Sequence, residues 1–383
     1  MTVTAAAGFL AAGVHAGLKS SGSPDLALVV NQGPSAAAAA VFTSNRAKAN
    51  PILWSQQVIT DGQVRAIVLN SGGANCFTGS QGFQTTHATA EAVADALKLS
   101  AGDVLVCSTG LIGEQLDRAK LIRGAAVAAA ELSVGGGDAA SRAIMTTDSV
   151  PKTAVINQDG WTIGGMAKGA GMLAPGLATM LVVITTDADL SPAELDAALR
   201  AATAVSFDRL DSDGCMSTND QVTLMASAAS GIHPGLPDFT AALTVLCADL
   251  ARQLQADAEG ASHDIRIEVI GAASESDAVE VGRSVARSNL FKAAIFGNDP
   301  NWGRVLAAIG TTAAEFDPYQ VDVSMNGIRV CHAGEPDQSR DLVDLRPRAV
   351  QLTIDLQVGT AGATILTNDL THAYVHENSA YAS

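Results

Sequence analysis

The chain has 383 residues, 48% of them hydrophobic and only 16% charged, with 36 glycines and few aromatics. That is enough for about two or three domains, and the composition excludes a disordered or fibrous chain. The formal net charge of −16 argues against nucleic acid as a partner, since its binders need a basic patch. It favours a cationic small substrate only weakly.

The first stretch, MTVTAAAGFLAAGVHAG, superficially resembles the apolar part of a secretion signal. It lacks a basic leader, is broken by Gly8 and Gly13 and carries His15, so a cytoplasmic protein is expected. No run of 18 or more apolar residues occurs, so no membrane span is expected. Cys76, Cys107, Cys215, Cys247 and Cys331 are odd in number and form no C-x-x-C pair; most read as reduced core residues.

Residues 26–30, 66–69 and 104–106 read as strands. Each runs into a polar loop: NQG (31–33), NSGGAN (70–75) and STG (108–110). The Ala-rich segments 86–97 and 118–132 have helical propensity. Strands that feed loops that feed helices predict an α/β or α+β fold with sites at strand ends. Residues 169–178 read as a loop, and the apolar run 180–184 as a buried strand. Ser191-Pro192-Ala193-Glu194 is a capping box that opens a helix towards Val205. Residues 238–255 place Leu243, Leu246, Cys247, Leu250 and Leu254 on one helical face. Ile265, Ile267 and Val269 alternate with charges as a half-exposed strand, and 277–290 reads as one helix. Asn326-Gly327 between 321–325 and 328–331 is a hairpin signal. Leu352, Ile354 and Leu356 alternate again. A smaller C-terminal α+β subdomain is expected from about residue 264 to 383.

The glycine-rich stretch GGMAKGAG (164–171) satisfies neither phosphate-loop pattern. His372 and His376 form the one i,i+4 histidine pair, without H-E-x-x-H or a nearby cysteine, so no metal is expected. There is no G-x-S-x-G elbow, and His87 as a lone histidine reads better as structural than as a general base. Thr179 stands out, where the loop meets the strand. Thr begins many strands, and that is its plain reading. The alternative is a nucleophile whose base is its own α-amino group, which requires the chain to be cut before it. An α-amine titrates near pH 7.7–8.0, about where a general base is useful, and Lys168 nearby would lower that value. Small Ala178, with Pro175 and Gly176 before it, suits such a cut.

KGAGMLAPGLATMLVVITTDA (168–188) resembles the self-cleavage motif of the ornithine acetyltransferases, the arginine-biosynthesis family that includes bifunctional glutamate N-acetyltransferases. NSGGAN (70–75), STGLIGE (108–114), MTTDSVPK (145–152), FDRLDSDG with STND (207–220), DAEG (257–260), DPNWGR (299–304) and ENSAYAS (377–383) are similar to further family signatures, in the family's order. The resemblance implies cleavage between Ala178 and Thr179, giving an α chain (1–178) and a β chain (179–383). Thr179 would carry the acetyl group from N2-acetyl-L-ornithine to L-glutamate by a ping-pong route. Thr109 and Gly110 match the oxyanion hole, and Thr146, Lys168, Thr179, Glu259, Asn378 and Ser383 match substrate-contacting positions. It further implies an α/β fold of stacked sheet and helix layers, distinct from the usual N-terminal-nucleophile hydrolase fold, an α2β2 assembly, no cofactor or metal, and room for acetyl-CoA as a second donor. Without the resemblance, Lys168 reads as a solvated loop lysine, Glu259 as a surface charge and residues 378–383 as a frayed tail.

Two stretches depart from the family's usual pattern: Ala261-Ser262-His263 after DAEG, and Cys76-Phe77 after NSGGAN. Two other readings stay open. An N-terminal-threonine amidase or aminopeptidase would hand the acyl group to water. A non-catalytic binding protein would never be cut.

Overall fold

The computed structural model describes residues 2–174 and 180–380. The first part of the chain forms β1 (Phe9–Val14), β2 (Leu26–Asn31), β3 (Ala38–Phe42), α1 (Asn50–Val58), β4 (Ala66–Ser71), α2 (Gly79–Leu97), β5 (Val104–Thr109), α3 (Arg118–Ala130), α4 (Gly137–Ala143), β6 (Lys152–Gln158) and β7 (Trp161–Lys168). Next come β8 (Leu181–Thr186), α5 (Pro192–Ala204), β9 (Gln221–Ala226) and α6 (Leu236–Ala256). The last part holds β10 (Asp264–Ala272), α7 (Glu275–Ala286), α8 (Asn289–Phe296), α9 (Trp302–Ile309), β11 (Asp322–Met325), β12 (Ile328–His332), β13 (Glu335–Pro336), β14 (Ala349–Asp355), β15 (Ala361–Asn368) and α10 (His372–Ala380).

Two sheets face each other. One has the order β1-β2-β4-β5, the other β3-β9-β8-β7-β6. Phe9, Val29, Ile67, Leu69 and Leu105 of the first pack with Met166, Leu181, Val183 and Met225 of the second in one buried cluster. The outer face of the first sheet is covered by α2 and α3 through Ala90, Val93, Leu121 and Ala125. That of the second is covered by α5 and α6 through Leu195, Leu199, Leu243, Leu246 and Leu250. The layers run helix, sheet, sheet, helix. Central strands such as β2, β4, β8 and β9 are buried throughout because both of their faces are covered. A third sheet, β13-β12-β11-β14-β10-β15, packs on α7 to α9 around its own core of Ile267, Val281, Phe291, Val305 and Ile354.

Several expectations match these elements. The capping box at Ser191 and Glu194 forms, and the α6 stripe is buried. The hairpin turn has Asn326 at φ 47° and Gly327 at φ 82°, the left-handed pair that such a turn requires. Others are corrected. Ser71 and Thr109 end strands rather than sit in loops, because β4 and β5 stay paired in parallel to Ser71↔Thr109. Lys168, which reads as a loop lysine without the resemblance, is the last residue of strand β7. Gly164 and Gly165 stand where a Cβ would meet Thr2 O at 2.3 Å and Leu246 Cδ2 at 3.0 Å, so close packing rather than a ligand explains them. Helix α2 begins at Gly79, ahead of the Ala-rich segment, where Asn75 Nδ2 donates to Gly82 O and Thr86 Oγ1 at 2.9 and 2.8 Å. The helix expected over 277–290 is two helices, since Ser288 leaves helical geometry and its hydroxyl caps Phe291 N–H.

Candidate active site

Strands β7 and β8 are antiparallel, and Lys168 lies opposite Leu181. The pairing therefore brackets the segment that carries the expected cleavage site. Ala178 and Thr179 lie outside the described residues, as does Ser383. The neighbours of that segment are described. Lys168 ends β7 and is only 2% exposed, not the solvated loop residue that its surroundings in sequence suggest. Its Nζ donates to Thr109 Oγ1 at 3.3 Å. The ends of the two facing sheets thus meet through one lysine–threonine contact.

Thr109 closes β5, and Gly110 follows with φ 128°. A Cβ on Gly110 would lie 2.5 Å from Gly73 N. Only glycine fits there. Gly73 N–H in turn donates to Thr109 O at 2.9 Å, which ties the NSGGAN loop to the STG turn. Thr109 Oγ1 receives the lysine N–H, so its own hydroxyl hydrogen is free to be donated to a ligand.

A buried charge network surrounds Lys168. Asp148 Oδ1 accepts from Lys152 Nζ at 2.6 Å and from Gly169 N at 2.7 Å, and its Oδ2 accepts from Thr146 N at 2.9 Å. Burial alone would push the Asp148 carboxyl up. Lys168, Lys152 and the Gly169 amide outweigh it and hold the group at about 2. Lys152 also reaches Asp257 Oδ2 at 2.6 Å, and Ser149 bonds the same carboxylate. Burial lowers the pKa of Lys168, opposed chiefly by Asp148. An ammonium held this way is a charge-assisted donor with little water around it.

Glu259 follows α6. Its Oε1 accepts from Thr147 Oγ1 at 2.6 Å, and its Oε2 from Asn378 Nδ2 of α10 at 3.0 Å. A Cβ on Gly171 would come within 2.5 Å of this carboxylate, so the backbone after Lys168 passes directly against it. Thr146, Lys168, Glu259 and Asn378 are thereby linked through Asp148, Thr147 and the 169–171 backbone. Asn378 sits on a helix, not in a frayed end. Among the described residues no group of three or more His, Cys, Asp or Glu is placed to hold a metal ion. His372 instead meets the Phe296 ring edge-on at 5.4 Å.

A family model described as the ArgJ family matches residues 10–383. The chain belongs to the ArgJ family. It is 63% identical over 383 residues to the arginine biosynthesis bifunctional protein ArgJ of Streptomyces avermitilis, covering all of both chains. The protein of that name from Mycobacterium tuberculosis is 56% identical over 389 residues, which cover 100% of this chain and 96% of that one. Among solved structures, the ornithine acetyltransferase of M. tuberculosis complexed with ornithine is 57% identical over 47% of this chain and 96% of its own, with a TM-score of 0.45. The ArgJ protein of Bacillus halodurans is 34% identical over 51% of this chain and 97% of its own, with a TM-score of 0.48.

Within this ArgJ-family chain, four buried residues that the motif reading left without roles stand beside the site: Asp148, Lys152, Asn219 and Asp220. All lie inside the signature stretches MTTDSVPK and STND. The available signal was a charged or amide residue embedded in a signature and buried by its apolar neighbours. Of the two departures from the family pattern, the one at His263 has a local explanation. His263 is 5% exposed and uses both ring nitrogens, Nδ1 on Asp369 at 2.7 Å and Nε2 on Leu345 O at 2.9 Å. Phe77 is 72% exposed and left-handed at φ 56°. No helix among the described residues is long and apolar enough to cross a membrane.

Proposed function

We propose that this chain is a self-cleaving acetyltransferase that moves the acetyl group of N2-acetyl-L-ornithine to L-glutamate through an ester on Thr179. Membership of the ArgJ family carries the reaction class. The observation in the molecule that supports it most is the junction where Lys168 meets Thr109 beside the strand that Thr179 precedes. Cleavage between Ala178 and Thr179 leaves a threonine with a free α-amine. That amine takes the hydroxyl proton as the oxygen attacks the acetyl carbonyl. The Thr109 hydroxyl and the Gly110 N–H donate to the oxyanion, worth several kcal/mol to such an intermediate. The amide C–N bond breaks, the α-amine returns its proton to the leaving nitrogen, and ornithine departs. The amino group of glutamate then attacks the ester, releases the Thr179 hydroxyl and leaves as N-acetyl-L-glutamate.

Glu259, with its two oxygens steadied by Thr147 and Asn378, suits the cationic end of ornithine. Lys168 and Thr146 suit a substrate carboxylate, and Ser383 is the further substrate-contacting position of this reading. No cofactor takes part in this scheme. Acetyl-CoA serves as a second donor if N-acetylglutamate forms from it and glutamate without acetylornithine. The assembly in this reading is α2β2 and the setting the cytoplasm.

The test is intact mass under denaturing conditions for the wild type and Thr179→Ala, beside ornithine release with and without glutamate. Two wild-type chains, one beginning at Thr179, with a single variant chain and glutamate-dependent turnover, are expected. Equal ornithine release without glutamate would make the enzyme an amidase. A single uncut wild-type chain would remove the nucleophile.

A further inference from the structure

The proposed transfer sets the site a problem of charge. Donor and acceptor present their α-nitrogens to one nucleophile in turn, so their side chains run into the same space. The side chain of ornithine ends in an ammonium and that of glutamate in a carboxylate. Glu259 attracts the first and repels the second. Lys168 is already assigned to a carboxylate that both substrates share. A further cation is needed, and one stands in a cavity that Glu259 also lines.

That cavity has a volume of about 250 Å³ and is lined by Glu259, Ala170, Asp213, Lys292, Asp369 and Tyr374, among others. It adjoins the site, since Ala170 is two residues beyond Lys168 and its carbonyl accepts from Glu259 N at 2.9 Å. Lys292 is carried by α8 and is 5% exposed. Its backbone carbonyl accepts from Leu370 N at 3.5 Å, just ahead of α10. Among the described residues its ammonium makes one hydrogen bond, to Ser212 O. An ammonium has three donors, and a buried lysine is almost always paired.

The carboxylates around Lys292 are held by other groups. Asp213 accepts from Met172 N at 2.8 Å, from Cys215 N at 3.0 Å and from the Tyr374 hydroxyl. Asp369 accepts from Ser262 N and His263 N at 2.9 and 3.0 Å and meets His263 Nδ1 at 2.7 Å. Asp211 accepts from Arg287 Nε at 2.7 Å. Asp213, Asp211 and Asp369 act on Lys292 through space, and burial still lowers its pKa against them. An anion brought into the cavity offsets that burial.

We infer that Lys292 is a specificity-determining residue for the acceptor, its ammonium receiving the side-chain carboxylate of L-glutamate in the cavity where Glu259 receives the side-chain ammonium of ornithine. One cavity then takes both side chains, each on the group of opposite charge. This inference rests on the proposed transfer.

Lys292→Gln keeps a donor for Ser212 O and removes the charge. Transfer from acetylornithine is measured with L-glutamate and with its uncharged isostere L-glutamine as acceptors. In ping-pong kinetics kcat/KM for each substrate reports its own half-reaction. Expected is a kcat/KM for glutamate lowered about tenfold or more, carried by KM. The kcat/KM for acetylornithine should stay within about twofold of wild type, and the preference for glutamate over glutamine should collapse. An unchanged preference, or equal losses for acetylornithine and glutamate, overturns the inference. If the Gln variant melts far below the wild type, Lys292→Met is read by the same acceptor ratio, which is independent of the folded fraction because both acceptors meet one sample. A wild type that takes glutamine as readily as glutamate overturns the inference without any variant. A wild type with no glutamate-dependent release of ornithine defeats the proposed transfer instead, so the two failures are distinguishable.

Discussion

Asp148 shows how a single side chain holds the site together. Three donors from three places along the chain, Thr146 N, Lys152 Nζ and Gly169 N, converge on it. Its folded pKa of about 2 lies below the ordinary 3.8. A carboxylate depressed in this way contributes stability that is fully present above the unfolded pKa. That stability is lost as pH falls through the folded one, and the gap corresponds to about 2 kcal/mol. Asp148→Asn leaves Lys152 with Asp257 alone and strips Lys168 of its main counter-charge. Removing one partner from a buried pair costs about 3–5 kcal/mol, and the low end applies because Asp257 remains. Urea unfolding at pH 7 should show that loss, and the gap between wild type and variant should narrow as pH falls from about 4 towards 2. A gap independent of pH would show that the Asp148 charge is not what stabilises the fold.

At the scale of elements, the molecule turns on how strands end and helices begin. β5 and β7 carry Thr109 and Lys168 as their last residues, where a side chain can leave the sheet and still be fixed by it. Helix α8 depends on a single cap. Ser288 breaks the path from α7, and its hydroxyl accepts from Phe291 N at 3.3 Å. The helix that follows brings Lys292 to Ser212 O. Ser288→Ala should lower stability by about 1 kcal/mol, the usual worth of such a cap, and leave kcat unchanged. Thermal melting beside steady-state kinetics checks both, and a fall in kcat at full stability would mean that α8 is coupled to the site. The sequence shows a helical pattern over 277–290, but the break at Ser288 was hidden there. Serine is acceptable within a helix, and only its neighbours decide whether it caps.

For the whole molecule, the expected cleavage falls between two strands that remain paired. β7 and β8 run antiparallel from Ile163↔Thr186 to Lys168↔Leu181, and β3 of the first part pairs with β9 of the second. One helical layer, α5 with α6, covers this mixed sheet. Cutting one peptide bond removes none of these contacts. The two chains should therefore co-elute under native conditions at the same size as an uncut Thr179→Ala protein, and separate only in denaturant. Native size exclusion followed by denaturing mass measurement checks this; free α or β chain in the native run would contradict it.

The sequence alone was enough for the elements whose signals are local: the capping box at Ser191, the turn at Asn326-Gly327, the stripe along α6 and the alternation in β10 and β14. Its signature stretches also pointed to the right family, and to Thr109, Lys168 and Glu259 as residues worth following. What it could not supply was their surroundings. Lys168 reads as exposed because its neighbours in sequence are glycine and alanine, and it is buried because a second sheet closes over the end of its strand. Asp148, Asn219 and Asp220 lie within recognisable motifs, but their partners are separated from them by tens to hundreds of positions in sequence or lie across a sheet interface. Local propensity and periodicity follow from a few consecutive residues and are written in the chain. Burial, and with it the strength of a charge or the cost of an unpaired oxygen, is fixed only when distant segments pack together.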